Sequence, residues 1–362
     1  MTPEMRYLLD LNGYLHLRSV LSSRELSACR AAADRHVALC AAVSSGDATA
    51  AIPEGFGNGA KPGQPGGKGY DNGYAWEKPL EQLVFHRSIW PIVLELTGGK
   101  PALSTGTMIV DDMALGPAHQ EGSGLHCARE DVARLTAGGP SNTAPFEGAC
   151  FCEERDGKVR SDNFVVFPYL DSVGEGDGGL IVLPGSHKSK FNRPGHLFGP
   201  FGIDAYKRQQ EEKQKNGGSA WGGVPAVAPA VDASPELGVH PLVANLTPQA
   251  GDILIMPEAT THGVLPWRGA GRRRIFSLRF RVQHGLREYR AKKGQLKIAD
   301  FPGYMREHWS EETLELLLGA EEGHTKEIAR REVIELASWD ELYPPLPTTT
   351  TTTAQAGEAA GL

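Results

Sequence analysis

No run of apolar residues in this chain is long enough to cross a bilayer, and no basic segment followed by an apolar stretch opens it. Both absences argue against a membrane span and lead us to expect a cytoplasmic protein. Cysteine is sparse and irregular: Cys29, Cys40, Cys127, Cys150 and Cys152 make an odd five without repeated spacing. That pattern excludes a disulfide framework and fits a reducing compartment. Cys150 and Cys152 lack the second Cys or His pair that a structural zinc site needs. Positive charge is in deficit, with 37 Lys and Arg against 44 Asp and Glu and a net charge of −7, so a general nucleic-acid binder is not expected. The glycine-rich GNGAKPGQPGGKG (57–69) fails as a phosphate loop, because Lys68 is followed by Gly69 rather than Ser or Thr and Pro62 stands where the first glycine should be.

What is present reads as one elaborated domain over 1–345, with insertions at about 43–72 and 193–240, and a disordered Thr/Ala/Gly-rich tail over 346–362. Residues 13–17 alternate like a short strand. Ser22 and Glu25 then form a capping box in front of a helix whose apolar positions are Leu26, Cys29, Ala33, Val37 and Cys40. Residues 43–72 are rich in Gly, Pro and Ala and read as a flexible loop or lid. A short helix is expected over 88–98, and strands over 103–110, 148–152, 163–169, 180–183, 252–256 and 273–282. Two further helices are expected between Ser310 and Leu336. Short strands without an interleaved helix pattern favour a mainly β sandwich or jelly roll over a parallel α/β sheet.

The densest chemistry lies in PEATTHGVLPWRGAGRRRIFSLRFR (257–281), a histidine near a strand end followed by a loop and an arginine-rich strand. Side chains alternate along a strand, so Arg273, Ile275 and Ser277 share one face, while Arg274 sides with Phe276, Leu278 and Phe280. An imidazole that could hold iron, with a guanidinium that could hold a carboxylate, is the equipment of a 2-oxoglutarate oxygenase. Residues 268–293 carry ten Lys or Arg against one acid, Glu288. That local surplus admits an anionic small-molecule substrate.

Three passages resemble the phytanoyl-CoA dioxygenase family of iron(II)/2-oxoglutarate oxygenases over residues 8–285. They are NGYLHLRSVLSSRELSACRAA (12–32), GDGGLIVLPGSHKSKF (176–191) and AGDILIMPEATTHG (250–263). The resemblance implies a double-stranded β-helix, a jelly-roll fold of cupin type with flanking helices. It implies iron(II), 2-oxoglutarate and O2 as cofactors, and it admits ascorbate. By the same resemblance His126 and His262 are the metal histidines, Arg273 takes the far carboxylate of 2-oxoglutarate, and Ser277, Thr105, Thr107 and Trp267 line the co-substrate pocket. His187 of the PGSH passage is expected to be a loop residue rather than a ligand.

One element of the family pattern is missing. The family's His-x-Asp is here His126-Cys127-Ala128, and alanine cannot coordinate a metal. Three readings follow. In the first, a nearby acid substitutes: Glu121 in His119-Gln120-Glu121, or else Glu130 or Asp131, and the protein hydroxylates an aliphatic C–H bond with release of succinate and CO2. A water molecule in the vacant place belongs with this reading. In the second, chloride fills the position and the protein is a halogenase. In the third, the jelly roll binds without catalysing.

Overall fold

The computed structural model describes residues 1–116, 119–120, 122–127, 151–189 and 242–282. It opens with a helix, α1 (Pro3–Asn12), in a segment whose sequence carried no helix expectation. Thr2 caps its N-terminus, Pro3 sits where a missing N–H is harmless, and Gly13 ends it at φ +77. Strand β1 (Leu15–Leu17) and helix α2 (Ser23–Ser44) follow, with the capping box formed by Ser22 and Glu25 as expected. The α2 face that buries Cys29, Ala33, Val37 and Cys40 is the one the periodicity picks out.

The remaining elements, in order, are β2 (Gly69–Tyr70), α3 (Lys78–Glu81), α4 (Trp90–Leu96), β3 (Pro101–Asp111), β4 (Ser123–His126), β5 (Cys152–Arg155), β6 (Lys158–Ser161), β7 (Asn163–Pro168), β8 (Gly179–Val182), β9 (Ala244–Asn245), β10 (Ile253–Pro257), β11 (His262–Leu265) and β12 (Arg273–Val282). A six-stranded sheet runs β1-β10-β7-β12-β3-β2, a four-stranded sheet runs β4-β11-β8-β9, and β5 with β6 forms a small ribbon. The pairings are antiparallel. The result is a double-stranded β-helix with helices on one side.

Alternation sorts the large sheet into two faces. Phe164, Val166, Ile253, Ile255, Phe276, Leu278 and Phe280 join the helices in one core. Val165, Phe167, Leu254, Met256 and Ile275 turn the other way and meet Leu180, Val182 and Val264 of the small sheet, which defines the lumen between the sheets. Each apolar side chain buried in these layers is worth about 1.5–3 kcal/mol relative to exposure, so the strand faces are strongly fixed. A one-residue slip in β12 would drive Phe276 and Phe280 into the lumen and Arg273 into the helix core.

Two expectations need correction. The segment 43–72 is not a loose lid throughout: Phe56 and Tyr70 are buried, and the Phe56 carbonyl accepts a hydrogen bond from His36 Nε2 at 2.6 Å. An aromatic cluster of His36, Phe56, Tyr70 and Trp76 holds this stretch on α2, with His36 stacked on Trp76 at 4.2 Å. Composition alone could not show that the few large residues in the segment all point inward. Likewise, His262 begins a strand of its own in the small sheet rather than ending the strand before it, because Glu258–Thr261 turn the chain from one sheet to the other. The segment 193–240, the helices expected within 310–336 and the tail lie outside the described residues.

Candidate metal and carboxylate site

The site begins with a strand pairing. β4 and β11 run antiparallel with His126 directly opposite His262, and their ring centroids are 4.4 Å apart with planes tilted by 53°. Glycine permits this approach: a Cβ at Gly263 would lie 2.8 Å from the Ser123 carbonyl, and one at Gly122 would overlap the Val264 carbonyl. Val264 packs in the lumen, and His262, two residues earlier on the same strand, shares that face. Leu125 belongs to the cluster behind the small sheet, so its neighbour His126 also looks into the lumen.

Each histidine is oriented from behind. His262 Nδ1 lies 2.8 Å from the Thr260 carbonyl, and His126 Nδ1 lies 2.8 Å from the Gly124 carbonyl. A carbonyl can only accept, so each Nδ1 carries a proton, and Nε2 is the ring nitrogen left to offer a lone pair. Burial, and then the neighbouring imidazole of His126, push the pKa of His262 down to about 4, so its ring is neutral at pH 7. Two imidazoles, each anchored at Nδ1 so that Nε2 is the nitrogen left for a metal, are donors that suit iron(II). The histidine pair therefore fits a metal.

The third ligand is a different matter. Among the described residues no group of three or more His, Cys, Asp and Glu could hold a metal ion. Glu121, Ala128, Glu130 and Asp131 lie outside those residues. His119, the alternative histidine of the His-x-Glu reading, is buried with its Nδ1 2.9 Å from the Val110 carbonyl at the end of β3, and it is His126 that faces His262. His187 is buried against Gly13, where any side chain would collide with its ring.

Opposite the histidines, β12 presents Arg273, Ile275 and Ser277 to the lumen, as the alternation requires. Ser277 pairs with Thr107 across β3, and Arg279 pairs with Thr105. Arg273 is 1% exposed, and its guanidinium lies 4.8 Å from the centre of the Trp267 ring. Trp267 is held in turn by its Nε1 donating to Gly271 and its backbone N–H donating to Gln120. The structure thus brings Arg273 and Trp267 together, and sets Thr107 and Ser277 further along the same wall.

Sequence reasoning missed what faces Arg273. Asp111, fully buried at the end of β3, accepts from Arg273 Nε at 2.9 Å and Nη2 at 2.6 Å, both on Oδ2. Its Oδ1 lies 3.3 Å from Lys68 Nζ. A counter-charge for this buried arginine is therefore furnished by the chain itself. Arg273 Nη1 is buried with no hydrogen-bond partner among the described residues, and a side chain at Gly179 would press on it at 3.3 Å. An orphaned donor beside a position that only glycine leaves open is compatible with an added carboxylate oxygen. The signal in the sequence was the acidic pair Asp111-Asp112 closing the strand that partners the arginines.

The neighbouring arginines are similarly matched. Arg272 binds Asp34 and Asp112, Arg274 makes a two-pronged pair with Asp171 and also reaches Asp34, and Arg279 lies 2.9 Å from Glu258. These carboxylates come from distant parts of the chain, so a count over 268–293 could not see them. Over the described part of that stretch, the positive charge is largely neutralised, and it no longer argues for an anionic substrate.

No family model and no curated protein matches the chain. Among solved structures it is similar to HygX from Streptomyces hygroscopicus with nickel and 2-oxoglutarate bound, at 18% identity and a TM-score of 0.50, over 78% of this chain and 87% of that one. It also matches EctD from S. alaskensis with 2-oxoglutarate and 5-hydroxyectoine, at 14% identity and a TM-score of 0.46, over 79% of this chain and 77% of that one. A third is the non-heme α-ketoglutarate-dependent carbocyclase SnoK from nogalamycin biosynthesis, at 16% identity and 0.44, over 78% and 84%. The likeness to HygX establishes a shared fold.

Proposed function

We propose that this protein is an iron(II)/2-oxoglutarate-dependent oxygenase acting on an aliphatic C–H bond of a small molecule. One observation carries the reading: His126 and His262 are paired across two strands, each anchored at Nδ1 to a backbone carbonyl, on the lumen wall opposite Arg273. HygX, which shares the fold, holds nickel and 2-oxoglutarate, and it holds hygromycin B as well in a further structure. Bound iron would supply activation of O2, with 2-oxoglutarate as the source of two electrons.

The chain's own part is positional. His126 and His262 would hold the metal, their rings fixed by the Gly124 and Thr260 carbonyls so that no reorientation accompanies binding. Arg273 would receive the far carboxylate of 2-oxoglutarate at Nη1, with the Trp267 ring packed against the guanidinium. Thr107 and Ser277 offer hydroxyls on the same wall. The apolar lining of Val165, Val182, Leu180 and Ile275 excludes water from the reacting centre.

A second reading rests on Ala128. With no carboxylate in the His-x-Asp position, a chloride there would make the product a halide rather than an alcohol. Purified protein loaded anaerobically with iron(II) and 2-oxoglutarate should show the metal-to-ligand charge-transfer band, and on exposure to O2 should form succinate even without a prime substrate. A chloride-dependent shift of that band favours the halogenase. Absence of both the band and succinate leaves the jelly roll as a binding protein.

A further inference from the structure

The guanidinium of Arg273 is engaged on two sides. Asp111 Oδ2 takes Nε and Nη2 and the Trp267 ring covers one face, while Nη1 lies beside Gly179, where an added Cβ would stand 3.3 Å away. At 1% exposure this arginine can meet an incoming anion only at Nη1 unless Asp111 moves. A carboxylate must either squeeze onto Nη1 beside Asp111 or displace Asp111 from the fork.

We propose that Asp111 is a built-in counter-ion that competes with a ligand carboxylate for Arg273, and so sets how tightly this chain holds a dicarboxylate. The inference rests on the reading of Arg273 as the arginine for the far carboxylate of 2-oxoglutarate. Two carboxylates on one guanidinium repel each other, and the repulsion is strong where water is absent. Lys68, 3.3 Å from Asp111 Oδ1, lowers that cost by drawing on the negative charge of Asp111. The best hydrogen-bonding geometry on the arginine is nonetheless already taken. Asp111 also explains how a buried arginine is tolerated before any ligand arrives, since an unpaired guanidinium at this depth would be strongly destabilising.

The test uses glutarate, a dicarboxylate with no 2-oxo group, titrated calorimetrically into the metal-free protein. Asp111→Asn keeps the shape of the side chain, and Asp111→Ser keeps a small acceptor. Both should melt at a lower temperature than wild type without ligand, regain stability when glutarate is added, and bind glutarate about tenfold or more tightly, the scale of one charged hydrogen bond. Arg273→Leu in the Asp111→Asn background should abolish the gain. Unchanged or weaker glutarate binding in both Asp111 variants overturns the proposal in favour of a carboxylate that only orients the arginine. A gain that survives Arg273→Leu overturns it too, as does failure of both variants to fold even with glutarate. If wild type forms no succinate with iron(II) and 2-oxoglutarate while the variants gain affinity for glutarate, the oxygenase reading falls and the role of Asp111 stands. If wild type forms succinate while the variants gain nothing, the oxygenase reading stands and the role of Asp111 falls.

Discussion

His262 stands directly across from His126 on the neighbouring antiparallel strand, and each ring is tied by its Nδ1 to the carbonyl two residues before it in the chain. Because both anchors are backbone atoms close in the chain to the rings they hold, the two Nε2 atoms are set by sheet register rather than by side-chain neighbours. Substituting His262 by alanine should therefore abolish iron-dependent succinate formation and remove measurable iron(II) binding. An iron titration that matches wild type would show that the metal sits elsewhere.

The close approach of β4 and β11 should be as sensitive as the histidines themselves. Gly263→Ala places a methyl 2.8 Å from the Ser123 carbonyl and must force the strands apart. We expect iron affinity to fall about 10- to 100-fold, the range for changes behind metal ligands, while both histidines remain in the chain. Equal iron affinity in the variant would mean that the pairing tolerates the shift.

Of the three consecutive arginines, only Arg273 faces the lumen. Arg273→Leu should raise the 2-oxoglutarate concentration needed for turnover roughly tenfold to a hundredfold. Arg274→Leu breaks a two-pronged pair with Asp171 on the opposite face, so it should lower thermal stability and leave that requirement nearly unchanged. Equal effects on the co-substrate requirement at both positions would indicate a diffuse anion patch.

The anchoring of the glycine-rich segment is a stability prediction. Phe56 is fully buried in the aromatic cluster with His36 and Trp76, so Phe56→Ala should cost about 3–5 kcal/mol in urea unfolding. A loss below about 1 kcal/mol would restore the reading of this segment as a loose lid.

Asp162 supplies a pH dependence. Burial raises its carboxyl to about 6, against a backbone N–H of Phe151 that favours the charged form. A carboxyl whose folded value lies above its unfolded one binds more protons when folded, so its contribution to stability is greatest below about pH 4 and is lost as pH rises through 6. Asp162→Asn should therefore raise the melting temperature at pH 7–8 and leave it nearly unchanged near pH 4. A melting curve shifted equally at both pH values would assign the effect to packing.

Much of the fold was legible because it depends on local rules. The alternation in RRRIFSLRFR gave both the extent of β12 and the face of each arginine, and the Ser22–Glu25 pair gave the start of α2. What stayed hidden depends on register between distant strands. Nothing local in the chain reveals that Asp111 stands opposite Arg273, 162 residues away. Strand β4 was not among the expected strands, because glycines at 122 and 124 weaken a strand pattern, although glycine is what allows the approach of β11. Helix α1 was missed for the opposite reason: Tyr7, Leu8 and Leu11 are exposed, so its apolar residues do not trace a buried stripe.

The lengths of the strands across the large sheet have a consequence for how copies of this protein behave together. Its long members, β3 and β12, lie inside the strand order, while its margins are β1 and β2, three and two residues long. The short turn Gly73–Ala75 packs beside Gly106 and Met108 of β3, next to the narrower margin. Among the described residues, a foreign strand arriving at either margin finds only a few backbone groups to continue, and the small sheet likewise ends at one side in the two-residue β9. Crowded solutions of the protein should therefore resist edge-to-edge fibre growth from these sheet margins.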